Sequence, residues 1–379
     1  MTELLSPTTG RPLRPDGPAT LSDGRERWPV MDGIPYLRTG RDELVREVVA
    51  RLDRGEADAA LACLLRDQDD WWDGPTPGSE DVLRLIRERD ALSLREAMAR
   101  LSFGRVGDYF AHRWSDPTYL AGLALLDAHW SEPTSAFELA CGIGHYLRDL
   151  EALGVRVTGS DVVFSKLWLA RHWVVGPSAE LICFDASSAW PLSKRRFDLV
   201  LCQDAFYFLE PKPEIAAHLR ALAAGPLAIG HIHNSEAENL SAGRGMDAAG
   251  IDALFPGARI YDDDELTRAA GDGRPPSDKR AADLRRVEAF SLVDGAEGSP
   301  RPADGPLCRP QTRTGMRRNP LYRGSAGDAA TITWPSERYG QEYADRATFP
   351  LRTELPEYPS TWSPEQARRR EVVSLPTRW

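Results

Sequence analysis

Between residues 137 and 234 the chain alternates short apolar runs with polar endings. The runs are F-E-L-A-C from Phe137, V-R-V-T-G-S from Val155, A-E-L-I-C-F from Ala179, F-D-L-V-L-C-Q-D-A-F-Y-F-L from Phe197 and G-P-L-A-I-G-H-I-H-N from Gly225. Runs of this length, bounded by turn residues, predict buried strands, and Lys212 to Ala224 between the last two predicts a helix. Strand, helix, strand with polar strand ends predicts a parallel sheet whose site lies at its carboxyl edge. Upstream, Leu44, Val45, Val48, Val49 and Leu52, then Ala59, Leu61, Leu64 and Leu65, fall at helical spacing and predict amphipathic helices over 41–130. The loop Trp71 to Glu80 interrupts them, with Ser79 as N-cap of the next helix. Downstream, Ala253 to Tyr261 approaches a strand, Asp262–Asp264 cap a helix, and Ala281 to Leu292 reads as helical. Residues 293–330 are loop-like in composition, and the proline- and aromatic-rich last fifty read as extended coil laid over another surface.

The first run leads into Gly142-x-Gly144. Glycine there lets the backbone turn sharply and approach a ligand, and the amides of the following helix start face that ligand. The dinucleotide fingerprint requires a third glycine where Leu147 stands, so that pattern fails. An acid stands four residues before the first glycine, at Glu138. This arrangement resembles motif I of the class I S-adenosylmethionine (SAM) methyltransferases, and the later runs fall at the intervals of that family. The resemblance covers roughly residues 131–235.

The resemblance implies an α/β, Rossmann-like sheet and SAM as cofactor. Glu138, Gly142 and Gly144 would form the glycine turn, and Asp161, at the tip of the second strand, would bind the ribose hydroxyls. Asp185, after the third strand, would lie near the adenine amino group. Gln203 and Asp204 occupy the motif IV position that follows the methionine end of the cofactor. His145, just past the glycine turn, either touches the cofactor or simply starts a helix. Trp190 either caps the adenine ring or packs, and Lys166 and Arg171 read as solvated.

Methyl transfer is an in-line displacement in which orientation supplies much of the rate, and a base is needed only where the nucleophile carries a proton it cannot lose unaided. The candidates for that base are His231 and His233 in G-H-I-H-N: strand alternation puts both on one face and Ile232 on the other. Their rival roles are packing groups, or a two-histidine metal pair with an acid such as Glu236; no metal site is assigned. Tyr109, His112, Arg113 and Trp114, in the aromatic-dense Val106 to Leu120, are candidate substrate contacts, because helices ahead of motif I often close over the substrate in this family. The alternative is an aromatic core with Arg113 paired to Asp108 or Asp116. Phe206, Tyr207 and Phe208 either wall the methyl cavity or join the core, with Tyr207 taken as a substrate contact. The amino-methylating [N/D]-P-P-[Y/F] pattern is absent from Gln203-Asp204-Ala205-Phe206, which favours an O or C acceptor over N.

Charge and cysteine content narrow the picture. The net charge of −10 opposes a nucleic-acid partner. Residues 301–379 carry 13 Lys/Arg against 9 Asp/Glu, a tail bias of +4 that forms no binding stripe. Five scattered cysteines with no C-x-x-C read as buried thiols of a reducing cytoplasm. No run reaches the length of a membrane span. The first forty residues, with Ser6-Pro7-Thr8-Thr9-Gly10 and Trp28-Pro29-Val30-Met31-Asp32-Gly33-Ile34-Pro35, are similar to the small zinc ribbon of tRNA-methyltransferase activators. No Cys or His precedes Cys63, so the segment is expected as a metal-free relic.

The expectation is therefore a cytoplasmic SAM-dependent methyltransferase of small molecules. Its parts would be a ribbon-like segment (1–40), a helical lid (41–130), a SAM-binding domain (131–235) and an extension (236–379). The extension would complete the sheet, cover the pocket, or dock a second copy or a partner protein. Its rivals are methylation of RNA or protein, and a non-catalytic SAM-binding or scaffold subunit.

Overall fold

The computed structural model describes residues 3–192, 195–238, 242–309, 316–323, 331–344 and 355–379. Its N-terminal strands β1 (Arg14–Pro15), β2 (Thr20–Ser22), β3 (Arg27–Met31) and β4 (Ile34–Pro35) form a small antiparallel sheet. Asp32 and Gly33, at φ 49° and 75°, make the tight turn between β3 and β4. Asp32 accepts from the Trp168 indole at 2.7 Å and contacts His172 at 2.8 Å, so the W-P-V-M-D-G-I-P run is a packing element against the main domain.

Five helices follow: α1 (Asp42–Asp53), α2 (Ala57–Leu65), α3 (Ser79–Glu88), α4 (Leu94–Arg100) and α5 (Gly104–His112), then α6 (Pro117–Ala128). Gly78, not Ser79, holds the N-cap position of α3, and Ser79 is its first helical residue. α6 is apolar around its circumference and packs between the sheet and later helices.

The central sheet holds β5 (Ser135–Leu139), β6 (Arg156–Asp161), β7 (Glu180–Cys183), β8 (Leu199–Gln203), β9 (Leu227–His233), β10 (Arg259–Asp262) and β11 (Ala289–Asp294) in the order β10-β11-β9-β8-β5-β6-β7. The first five are parallel, and β11 enters antiparallel between β9 and the edge strand β10. Their crossovers carry α7 (His145–Glu151), α8 (Phe164–Leu169) and α9 (Lys212–Leu222), and α10 (Ala248–Leu254) and α11 (Asp263–Asp272) flank β10. This is the Rossmann-like α/β sheet expected, with helices on both faces and the carboxyl ends of the parallel strands on one rim.

Ala281 to Leu292 departs from its helical expectation. Only Ala281–Leu284 form a helical turn, and Ala289, Phe290, Leu292 and Val293 are buried in β11. Leu292 faces one side of the sheet and Val293 the other. A strand buried on both faces shows neither helical nor alternating periodicity.

The extension is woven into the domain. Asp127 of α6 accepts the amides of Leu307 at 3.1 Å and Cys308 at 2.7 Å. Val372–Ser374 pair with Met316–Arg318, and Arg148 of α7 donates to the carbonyls of Ser374 and Leu375. The Trp379 indole donates to Ala111 O at 2.7 Å. α12 (Glu337–Tyr343) lies against the residues after α5, with the Tyr339 hydroxyl donating to Asp116 at 3.0 Å.

Asp127 supplies a pH-dependent test of this docking. Burial pushes its carboxyl up to about 6, against the two amides that favour the anion. The native state therefore holds a proton there that the unfolded chain loses near pH 4, so this residue's contribution to stability rises as pH falls from about 6 to 4. Urea unfolding of wild type and Asp127→Asn should show wild type gaining on the variant by up to about 3 kcal/mol across that window. A difference flat in pH would refute a raised pKa at Asp127.

Candidate active site

A cavity of about 810 Å³ opens along the carboxyl rim of the parallel strands, within the ~300–1,000 Å³ range of small-ligand sites. Three backbone outliers mark where the strands meet it: Ala140 after β5, Asp204 after β8 and His231 within β9 take φ of 55°, 52° and 51°. Left-handed non-glycine residues cost about 1–3 kcal/mol each and persist where the surroundings over-determine them. All three line the cavity.

At one end stand the groups expected for the cofactor. Gly142, at φ 55°, donates its amide to Asp161 Oδ2 at 3.0 Å, and Val163 N donates to Oδ1 at 2.9 Å. A Cβ on Gly142 would come within 3.0 Å of the Phe110 ring, so this turn needs glycine for both conformation and space. Lys166 Nζ lies 3.7 Å from Asp161 and 3.7 Å from Asp69; burial opposes its charge, but the two carboxylates raise its pKa. It lines the cavity, contrary to the solvated reading. Asp185 and Gln203 line it as well. Glu138 is 2% exposed, burial holds its carboxyl well above the usual range, and its Oε2 has no hydrogen-bond partner among the described residues. A buried, unmatched carboxyl oxygen beside a glycine turn fits a ligand bearing a hydrogen-bonding group.

Other candidates stand behind the wall. Gly144 caps α7 in the left-handed conformation, and its surroundings are Val175, Ala170 and Leu147, so it serves the turn and not the lining. His145 does line the cavity; its Nε2 sits 2.9 Å from Phe110 O, and burial lowers its pKa to about 3. Trp114 packs on the His145 ring at 4.2 Å, and His112 bonds Asp108 O through Nδ1; neither is among the lining residues. Trp190 also lies outside the lining, stacked on His218 at 5.0 Å. Arg171 donates to the carbonyls of Gly176 and Ala179.

At the other end Asp204 gathers Tyr109 (2.6 Å), Tyr207 (2.8 Å) and Arg113 (3.4 Å). Burial opposes its charge, yet His231, Arg113, His233 and Tyr109 hold its pKa below the ordinary carboxylate value. Arg113 also pairs with Asp116 at 3.0 Å and bonds Thr118, so one of its expected packing partners and a pocket role coexist.

The histidines reach this end through a bulge. Phe290 pairs with Ile232 but Leu292 with Ile229, so β9 holds one extra residue opposite Ser291. Ile229 and Ile232 both pack into the core on one face, and Ala228 packs on the other. Simple alternation from Ile229 would send His231 and His233 into the core on the Ile229 face; the bulge turns both into the cavity. The His231 amide, displaced from the ladder, donates to Ser291 Oγ at 3.0 Å, and that hydroxyl donates to Asp263 Oδ1 at 2.6 Å. His231 Nδ1 meets Asp263 Oδ2 at 2.7 Å, leaving Nε2 3.9 Å from Asp204 Oδ1. The His233 ring stacks on Tyr207 at 3.8 Å.

Several residues in or behind the cavity wall carry no readable signal. Asp263, expected only as part of a helix cap, is the buried partner of His231. Tyr339, Glu342 and Tyr343 of α12 line the cavity, and burial raises the Glu342 carboxyl. Nothing in the local pattern of 337–343 ties them to a site some 100 residues upstream.

Residues 136–225 match the family model described as "Methyltransferase domain". Among solved structures, a chain of the complex between the Haloferax volcanii Trm112 methyltransferase activator and a putative methyltransferase is 17% identical, covering 54% of this chain and 98% of that one at a TM-score of 0.38. A Haemonchus contortus phosphoethanolamine N-methyltransferase 2 is 15% identical, covering 55% and 61%, also at 0.38. A magnesium protoporphyrin IX methyltransferase from Synechocystis PCC 6803 is 16% identical over 49% and 82%, at 0.32. No curated protein matches the chain. The sheet and the family match together mark residues 136–225 as a methyltransferase domain of Rossmann-like α/β fold, that of a SAM-dependent enzyme.

Asp161 gives the direct test of the cofactor end. Asp161→Asn keeps the side chain's size and removes its charge, and SAM affinity by calorimetry should fall by about 1–3 kcal/mol, the scale of a charge-assisted hydrogen bond. Unchanged affinity in a folded variant would remove Asp161 from the ribose.

Proposed function

We propose that the enzyme methylates a small molecule held between the cofactor end and the group formed by Asp204, His231 and His233. Glu138, Gly142, Asp161, Asp185, His145 and Gln203 hold the cofactor, and Gly144 shapes the turn. Tyr109, Arg113 and Tyr207 fix the acceptor side through Asp204, while His112 and Trp114 support that wall from behind. When bound, SAM supplies an electrophilic methyl on a sulfonium and departs as S-adenosylhomocysteine. His231 and His233 would take up the proton that the acceptor sheds as it receives the methyl.

The observation that carries the reading is the closure of the acceptor end by Tyr339, Glu342 and Tyr343. A cavity walled by the protein's own C-terminal helix suits a small acceptor better than a nucleic acid, as does the net charge of −10. An oxygen acceptor fits the histidines, because a hydroxyl must shed its proton to attack.

The test is a titration followed by turnover. Wild type should bind SAM and S-adenosylhomocysteine and convert SAM to the latter when given a metabolite extract. His231→Ala and His233→Ala should keep wild-type SAM affinity and lose about 10²–10⁴-fold in rate. Wild-type rates in both would remove the pair from the chemistry, and conversion of tRNA in place of small metabolites would overturn the acceptor class.

A further inference from the structure

The histidine pair can activate an acceptor directly or through an ion, and the geometry points to the ion. We propose that Asp204, His231 and His233 form a binding site for one first-row divalent transition-metal cation; this rests on the reading of the cavity as a methyltransferase site. One donor atom from each residue lies within 4.8 Å of the other two. A tetrahedral ion with bonds of about 2.1 Å sets its ligands roughly 3.4 Å apart. Side-chain shifts of about an ångström therefore bring the three donors into coordination.

The surroundings of each donor match what a metal requires. A ligating imidazole ordinarily gives its other ring N–H to a carboxylate, which fixes the tautomer and aims the free nitrogen. His231 is held that way: Nδ1 on Asp263 Oδ2, Asp263 in turn fixed by Ser291, and Nε2 turned to Asp204. Asp263 begins α11, where the helix N-terminus favours its negative charge. At Asp204 the two oxygens are divided: Oδ2 takes Tyr109 and Arg113, while Oδ1 takes Tyr207 and faces His231. Oδ1 is thus the ligand atom, and Arg113 is itself balanced by Asp116. His233 is fixed in ring plane by Tyr207, 13° from parallel.

Two imidazoles and one carboxylate select a transition metal such as zinc, cobalt or manganese over calcium, which prefers oxygen donors. Three protein ligands leave coordination positions open to the cavity. An ion there would bind an acceptor oxygen and make its hydroxyl more acidic, which places a hydroxyl or a vicinal diol ahead of an amine as acceptor. The left-handed backbone at both Asp204 and His231 is what swings two of the three ligands to one point.

The experiment uses tag-free, chelator-treated full-length protein titrated with Co²⁺ by visible absorption and with Zn²⁺ by calorimetry. We expect one ion per chain, with the intense visible band of low-coordinate cobalt. His233→Ala and Asp204→Asn should weaken binding at least 10-fold. Asp263→Asn, which touches no ion, should weaken it about 10–100-fold. SAM titration of the same samples reports that each variant is folded and keeps the cofactor reading separate. Wild type that binds SAM but no stoichiometric ion overturns the metal site alone and leaves His231 as direct proton acceptor. Equal ion binding by wild type and His233→Ala likewise overturns it, since the ion then sits elsewhere. Loss of SAM binding by wild type would instead defeat the methyltransferase reading.

Discussion

The buried charge of Asp204 is the constraint on which its end of the cavity depends. A carboxylate with 6% side-chain exposure is tolerable only if nearly every lone pair is met. Its partners come from separate parts of the chain: Tyr109 from α5, Arg113 just after it, Tyr207 beyond β8 and His231 from β9. Arg113 passes the link to Asp116, and Asp116 to Tyr339 of α12. One anion thereby ties the helical region, the sheet and the C-terminal extension to a common point. The electrostatics that make Asp204 costly are also what give this end its fixed shape.

This arrangement explains why the extension is folded into the main domain. Its contributions are dispersed: amides of 307 and 308 on Asp127, a short strand pair, an indole on α5, and one helix at the cavity. None of these is a core by itself, and each satisfies a polar group or fills a gap left by the methyltransferase sheet. The expected extended coil gives way, among the described residues, to short helices at Glu337–Tyr343 and Pro364–Arg368 and a strand at Val372–Ser374.

How much could be read beforehand follows from how local each signal is. The glycine turn, the strand-tip acids and the five parallel strands are encoded within stretches of about ten residues, and they lie where the pattern put them. β11 carries no strand signal because burial on both faces erases periodicity. Alternation alone would aim the histidines into the core; the bulge that turns them is set by pairing with β11, 60 residues downstream. Asp263 and α12 are invisible as site residues because their partners are 32 and 223 residues away in sequence. Lys166 reads as solvated in the sequence because a lysine on a helix after a strand looks the same whether or not two carboxylates face it.

The bulge in β9 has an evolutionary consequence. Because a strand's side chains alternate with period two, one added or deleted residue inverts everything beyond it. Two imidazoles can thus be carried across the sheet together by a single insertion, with no change of side chain at any other position. Relatives with the same sheet can gain or lose this chemistry by a change of parity. In aligning them, a one-residue gap beside the fifth parallel strand is more informative than the identity of the residues on either side.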